Sequence, residues 1–309
     1  MIRAKAGRGP ERSPALPVTP EIENFRGGRS IGVTDVLLKD TVAAVRGRLG
    51  GELDGMTVER AVLGIFFTGV KLSDGHGGLS FTPIKEIPQA VCCPSSAREM
   101  PLSGKLRGRP VGAFLDDLSC GNVLREALGV AVLNALSAAC WDRMPSKPYE
   151  LSLGRDTFDD VELPRGGCAV VVGALVPMLK RLLAESVDFR VLEQDPRTLK
   201  EREMPHYVPA DRASEVVPQA DLLVVTGTTV LNGTLSGLLE MARPDARVVV
   251  AGPTASMLPE AFFERGVDVL GGVLVTRPDE LLDIVAEGGS GYHFFGRYAE
   301  RMVIRRPGP

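Results

Sequence analysis

The second half of the chain repeats one strand–turn–helix pattern between Ala220 and Pro259, and this repeat constrains the fold more than any other feature. Aliphatic runs at 222–225 and 248–251 each lead into a polar turn rich in glycine and threonine, and then into a helical pattern. Aliphatic runs of this kind are typical of strands covered on both faces, as in a parallel sheet. Ligands of such sheets bind outside the carboxyl ends of the strands. The turns at 226–229 and 252–254 are therefore the candidate binding loops.

The repeat belongs to a longer alternation of strands and helices over residues 168–309, which we call the second unit. Aliphatic patterns predict strands at 168–173, 188–192 and 267–270, and a helix at 177–184. Thr276 and Asp279 have the spacing of a capping box that opens a further helix, and residues 302–304 are expected to add an edge strand or to pack over another chain. This alternation predicts an α/β fold with a doubly wound parallel sheet.

A smaller α+β unit is predicted at residues 34–143, which we call the first unit. Thr34 is a candidate N-cap for an amphipathic helix that ends near residue 49, and residues 57–82 have the pattern of a β-hairpin with a glycine-rich connection at 73–78. A helix at 121–139 is apolar nearly all round, so we expect it to be buried between layers. Residues 1–33 are interpreted as a flexible tail, and the proline-bearing segment 144–167 as a linker.

Composition excludes several classes of protein. The 309 residues are 44% hydrophobic and 24% charged, which is typical of a globular protein. A net charge of −3 argues against a nucleic-acid-binding surface, because such a surface is normally basic. No apolar run reaches the length of a membrane span and the first 30 residues lack a signal-peptide core, so we expect a cytoplasmic protein without a membrane partner.

The five cysteines are an odd number without an export signal, which favours reduced thiols over a disulfide framework. Cys140 and Cys168 lie in apolar patterns and are expected to be buried. Cys92 and Cys93, in a predicted loop, are the two that merit a test of reactivity. No histidine has the local spacing of a metal site, although assembly from distant loops stays open.

Two residues of the second unit match part of a dinucleotide-binding pattern. Gly173 follows the first predicted strand of the unit, but the second glycine of a G-x-G-x-x-G fingerprint is absent, so this glycine is interpreted mainly as relief of crowding between strand and helix. Glu193 ends the next strand, where an acidic residue can hold a ribose. A solvated strand end is an equal alternative for Glu193.

The candidate ligand-binding residues of the two repeated turns are polar residues and glycines where helices begin. Unpaired N–H groups at a helix start attract carboxylate or phosphate oxygens. Asn134, inside the otherwise apolar helix of the first unit, must find hydrogen-bond partners, and it either ties that helix to a loop or faces an interdomain site. With Gly173 and Glu193, the predicted ligand-binding residues are Asn134, Thr228, Thr229, Asn232, Gly252, Pro253 and Thr254.

Several of these segments together resemble the putative heavy-metal chelation domain family. They are the helix at 126–136, the Gly173 turn, the strand end at 191–193, the turn at 226–234 and the run from 248 to 266. The resemblance extends over about residues 34–304. It implies an enolase N-terminal-like domain followed by a Rossmann-like domain, with a cleft between them that is lined by the carboxyl-end turns and by the helix carrying Asn134. It also implies a role with heavy metals, and it fixes no reaction.

Three functional hypotheses follow. The leading one is a protein that binds a small anionic or metal-chelating metabolite in the interdomain cleft, in heavy-metal or metal-cofactor handling, with a heavy or transition metal complex as the cofactor. The second is an enzyme that uses NAD or S-adenosylmethionine, with Glu193 on the ribose. The third is a non-catalytic partner or carrier protein that makes contacts through the basic tail and the aromatic C-terminal segment. Whether the chain is an enzyme, and whether it forms a homo-oligomer, is left open.

Overall fold

The structure, a computed structural model, describes residues 36–86, 102–159 and 161–307. Thr34, Cys92, Cys93 and the predicted tail lie outside the described residues. In the first unit the elements are α1 (Val36–Leu49), α2 (Glu52–Gly55), β1 (Val58–Leu63), β2 (Phe67–Leu72), β3 (Gly77–Phe81), α3 (Val111–Leu115) and α4 (Val123–Asp142).

The three strands form an antiparallel sheet in the order β1-β2-β3. The predicted connection at 73–78 includes the turn between β2 and β3, although its last two residues belong to β3, and the run interpreted as one arm of a hairpin is in fact two strands. The extra turn lies at Gly64, whose amide donates to the carbonyl oxygen of Phe67. A side chain at residue 64 would clash with the backbone of Val285 in the second unit. The break therefore depends on a distant contact that local periodicity does not record.

Helix α4 is the central helix of the molecule. Asn122 caps it by accepting from the amides of Leu124 and Arg125, and the helix is buried on nearly every face, as predicted. Its length and hydropathy would allow it to cross a bilayer, but it lies inside the protein, as the core helix of an α/β fold does. It packs so closely on β3 that a side chain at Gly78 would clash with the carbonyl oxygen of Ala131.

The second unit is built on an eight-stranded sheet. Its strands are β4 (Glu150–Leu153), β5 (Cys168–Val172), β6 (Asp188–Glu193), β7 (Tyr207–Pro209), β8 (Leu222–Thr226), β9 (Arg247–Ala251), β10 (Val269–Val275) and β11 (Ala299–Arg305). The strand order is β4-β11-β10-β9-β8-β5-β6-β7, and the six strands from β10 to β7 are parallel. The predicted α/β fold with a parallel-dominated sheet is confirmed, and its aliphatic strands are continuous because both faces are covered.

Helices cover the two faces of this sheet. They are α5 (Val176–Ala184), α6 (Ala213–Val216), α7 (Thr228–Leu231), α8 (Leu235–Met241), α9 (Glu260–Phe263), α10 (Pro278–Ala286) and α11 (Gly291–Phe294). Helix α10 also packs on β1 and β2, and α9 packs on α1, so the two units share extensive contacts. The cores of both units join in one large cluster of buried apolar side chains around α4.

Three local predictions in the second unit are wrong. The predicted linker contains β4, which pairs with β11. Strand β11 is consequently not at the edge, because it lies between β10 and β4. The capping box of Thr276 and Asp279 does not form, since α10 begins after Arg277 without a side-chain cap.

Candidate functional site at the carboxyl edge of the sheet

The turns predicted to bind a ligand lie together at the carboxyl edge of the parallel strands. In the sheet, β6 lies on one side of β5 and β8 lies on the other, so the direction of the strand order reverses at β5. The topological switch point is therefore between β5 and β8. Thr226, at the end of β8, packs its methyl group against Gly173, at the end of β5. The Gly227 amide donates to the carbonyl oxygen of Ala251 at 2.8 Å, which places the turns after β8 and β9 side by side.

The turn after β8 is only partly covered. The first hydroxyls of the turn form hydrogen bonds inside it. Thr229 Oγ1 donates to the carbonyl oxygen of Thr226 at 2.7 Å, and Thr228 Oγ1 donates to Thr226 Oγ1 at 3.3 Å. Thr226 and Thr228 are half-buried, whereas Thr229 is buried. Asn232 Oδ1 accepts from the amide and the hydroxyl of Thr234, so this side chain shapes the turn that precedes α8.

The turn after β9 is covered by the first unit. Gly252 begins it with a φ of +139°, a conformation that favours glycine. Thr254 is buried, and its Oγ1 accepts from the amide of Phe81, at the end of β3. Ser256 Oγ accepts from the amide of Val273 and donates to the carbonyl oxygen of Pro253. Gly252 and Pro253 stay half-buried and are the part of this turn nearest to solvent.

Asn134 joins the covered turn to α4 and β3. Its Nδ2 lies 2.7 Å from the carbonyl oxygen of Leu79, 3.0 Å from that of Thr254 and 3.3 Å from that of Pro253. Of the two roles considered for this amide, tying the helix to a loop is therefore the one that its nitrogen performs. Its Oδ1 is buried and has no hydrogen-bond partner among the described residues. A buried acceptor without a partner is costly, so this oxygen is a position where a donor from a ligand or water would be stabilising.

The two acidic residues after β6 already have N–H partners. Glu193 accepts from the backbone amides of Ala174, Gln194 and Asp195. Hydrogen bonds from Arg197, and then from Lys85 of the first unit, hold the pKa of Asp195 well below its usual range. Lys85 Nζ lies 2.8 Å from Asp195 Oδ2. Sequence reasoning missed Lys85, and no local signal marks it because its partner is 110 residues away.

Gly173 relieves crowding, but against the adjacent strand β8 and not against the following helix as predicted. Its φ is +89°, and a Cβ at this position would lie 2.8 Å from the methyl group of Thr226. The room between the β5 and β8 turns is thus partly filled by a side chain of the protein. A dinucleotide needs space for its pyrophosphate at this turn and a free carboxylate for its ribose. The methyl group of Thr226 fills part of that space, and the carboxylate of Glu193 already accepts backbone amides.

Two cavities of the described residues lie away from this edge. One, of about 1100 Å³, is at the opposite, amino edge of the sheet, beside Cys168 and Asp221. Another, of about 910 Å³, lies along β1 in the first unit and is lined by apolar residues such as Leu63 and Ile84. The structure therefore brings most of the predicted residues together at one edge, where they form a half-buried surface and a covered turn. Their contact with a ligand stays a prediction.

Comparison with known proteins identifies the family. Residues 47–137 and 156–304 match two domain families that are both described as putative heavy-metal chelation. The chain belongs to the putative heavy-metal chelation family. An uncharacterised protein of Methanocaldococcus jannaschii is 27% identical over 173 residues, which are 55% of this chain and 62% of that protein, so the match spans less than two thirds of the relative. The family description supports a metal-related binding role.

Two solved structures of the second of these domain families share the fold. A protein of unknown function from Pyrococcus horikoshii has a TM-score of 0.67 at 20% identity, with 87% of this chain and all of that chain covered. One from Desulfitobacterium hafniense has a TM-score of 0.63 at 21% identity, with 87% and 98% covered. These similarities place the strands and helices and carry no information on the ligand.

The described side chains do not fit a bare heavy-metal ion. In residues 36–86, 102–159 and 161–307, no three His, Cys, Asp or Glu side chains come together as a metal site. Burial raises the pKa of Cys140 to about 11 and also raises the pKa values of Cys120 and Cys168, which disfavours the thiolates that soft metals bind. Direct coordination of a soft metal ion by this part of the chain is therefore disfavoured.

Proposed function

We propose that this protein binds a small anionic or metal-chelating metabolite at the carboxyl edge of the large sheet, between the turn after β8 and the first unit, in the cytoplasm. The turns after β5, β8 and β9 converge there, at the switch point where sheets of this class bind ligands. The observation that carries the proposal is the buried Oδ1 of Asn134 beside that convergence, which has no hydrogen-bond partner in the described part of the chain.

The polar groups of the edge suit an anionic ligand with oxygen atoms. The hydroxyl of Thr228 donates one long hydrogen bond, at 3.3 Å to Thr226 Oγ1, and can be recruited by a ligand. Lys85 brings a positive charge from the first unit to the same edge, where it neutralises Asp195. Such a site is expected to bind an organic acid or an anionic metal chelate, because the ammonium of Lys85 has three N–H donors and the side chain is largely exposed beyond its contact with Asp195.

A cofactor of the NAD or S-adenosylmethionine type is the weaker candidate. A ribose diol needs a carboxylate with free oxygens at the end of β6, and the oxygens of Glu193 accept three backbone N–H groups instead. The methyl group of Thr226 occupies space next to Gly173 where a pyrophosphate would have to approach the backbone.

Native mass spectrometry of the protein as purified, followed by thermal unfolding with citrate, ferric citrate, NAD and S-adenosylmethionine, tests this proposal. A ligand that binds only the folded state raises the midpoint of unfolding. We expect citrate or ferric citrate to raise the midpoint of thermal unfolding of the wild-type chain. The midpoint of Thr228→Val, which keeps the side-chain shape and removes the hydroxyl, should not rise.

Thr276→Val is the matched control, because Thr276 is an exposed threonine at the carboxyl end of the neighbouring strand β10. It should respond as the wild type does. A rise with NAD or S-adenosylmethionine alone, or an equal response of the two variants, would overturn the proposed function.

A further inference from the structure

We infer that a heavy metal reaches this protein already held by a chelating ligand, and that the described fold contacts the chelator and leaves the metal ion uncoordinated. The inference deepens the proposed function, on which it rests, by naming the class of ligand. It comes from a disagreement between the family description and the side chains that would have to hold a free ion.

The described thiols are separated from one another, and only Cys140 is buried, because Cys120 is exposed and Cys168, predicted to be buried, is half-buried. Cys140 is fully buried in α4, and Cys168 begins β5 at the amino edge, the end of the sheet opposite to the candidate site. Cys120 precedes α4, and its Sγ lies 3.9 Å from the carbonyl oxygen of Asn122. Thiolate ligation of a soft ion needs two or more sulfur atoms at one point, and these three lie on different elements.

The histidines are also committed to the fold. His76 Nε2 lies 3.0 Å from Asp142 Oδ2, with Asp74 on the other side of its ring. His206 stacks on Phe189 and its Nδ1 lies 3.1 Å from the carbonyl oxygen of that residue. His293 Nδ1 accepts from the amide of Ser290, where it caps a short helix. For His206 and His293 these contacts use one ring nitrogen, and neither ring belongs to a group of three or more His, Cys, Asp or Glu side chains among the described residues.

At the candidate site the carboxylates are acceptors for N–H donors. Glu193 holds three backbone amides, and Asp195 pairs with Arg197 and Lys85. A cation at this edge would compete with two positive side chains and with the amides that shape the turn. A chelate of negative net charge would instead accept from the ammonium of Lys85 and the guanidinium of Arg197, which are both largely exposed and carry more N–H groups than Asp195 accepts.

Equilibrium dialysis of the full chain against micromolar Cd²⁺ or Zn²⁺ alone, followed by elemental analysis, tests this inference. The wild type is compared with C92S/C93S, because those two thiols lie outside the described residues and could bind cadmium by themselves. We expect C92S/C93S to retain no stoichiometric metal and to show no ultraviolet thiolate-to-cadmium absorption, while a thiol titration under denaturing conditions still counts the three remaining cysteines.

One equivalent of metal retained by C92S/C93S, and lost when His206→Ala or Cys120→Ser is added, would overturn the inference. Failure here is distinguishable from failure of the proposed function. The dialysis measures a bare ion, whereas the comparison of Thr228→Val with Thr276→Val measures the response to an organic anion.

Discussion

The turn after β8 and the turn after β9 lie side by side at one edge of the sheet, but the first unit covers the second more fully than the first. The first keeps two half-buried threonines, Thr226 and Thr228, whose hydroxyls bond within the turn. The second is held by Asn134 of α4 and by the amide of Phe81 at the end of β3. Equivalent positions in a repeat can therefore differ in their contacts: the turn after β9 joins the two units, whereas the turn after β8 keeps half-buried hydroxyls and is the proposed ligand site.

Asn134→Ala is expected to give the largest loss of stability. It removes the donor that three backbone carbonyls share and leaves those buried oxygens without it. We expect the free energy of unfolding to fall by about 3 kcal/mol, as measured by urea unfolding. The matched change in the open turn, Asn232→Ala, removes the acceptor of Thr234 and should cost about 0.5–1 kcal/mol. Equal losses in the two variants would contradict the view that the covered turn is the more firmly held.

The glycines of the two turns give the next comparison. Gly252 has a φ of +139°, so Gly252→Ala is expected to lower the free energy of unfolding by about 1–3 kcal/mol through backbone strain. Gly227 has an ordinary φ of −59°, and a new methyl group there would lie 3.1 Å from Cβ of Ala255. Gly227→Ala should therefore cost less, about 1 kcal/mol or below. Thermal unfolding of both variants checks the order, and a larger loss for Gly227→Ala would mean that the open turn is the more tightly constrained of the two.

Much of the fold could be predicted because its strands leave local patterns. The runs that became β5, β8 and β9 are aliphatic on both faces and α4 is apolar nearly all round, so the sequence itself indicates that they are buried. The errors concern partners that are distant in sequence. Strand β4 has exposed ends and only pairing with β11 explains it, and the break at Gly64 depends on contact with Val285.

The position of the candidate site was predictable, whereas its coverage was not. Two Gly/Thr turns after neighbouring parallel strands must share an edge, and the structure has them in contact. Whether a turn is open depends on which side chains of the first unit reach it. Asn134 bonds across 120 residues to Thr254, and Lys85 across 110 residues to Asp195, so neither contact has a local signature.

The smallest expected effect is at His76. This residue lies in the turn that leads into β3, the strand of the first unit that contacts the turn after β9. His76 Nε2 pairs with Asp142 at the end of α4, and Nδ1 lies 2.9 Å from Asp74 Oδ2 without the alignment of a good hydrogen bond. Asp74, and then Asp142, raise the pKa of His76 above its usual value, while Arg143, 3.7 Å from Asp74, is the nearby positive charge. Because the folded pKa is the higher one, protonated His76 stabilises the fold fully below about pH 6.5 and this contribution is lost as the pH rises through the folded pKa.

His76→Gln should therefore cost more stability in mildly acidic than in mildly alkaline buffer. Asp142 is largely exposed, so solvent screening limits the difference to about 0.5 kcal/mol. Urea unfolding at several pH values measures it, with His293→Gln as the control, since that ring lies in a different, exposed turn. If the two variants lost stability equally at every pH, the link between the β3 turn and α4 would be a packing contact alone. The stability of the turn after β9 would then depend on the hydrogen bonds of Asn134 and not on an ion pair in the first unit.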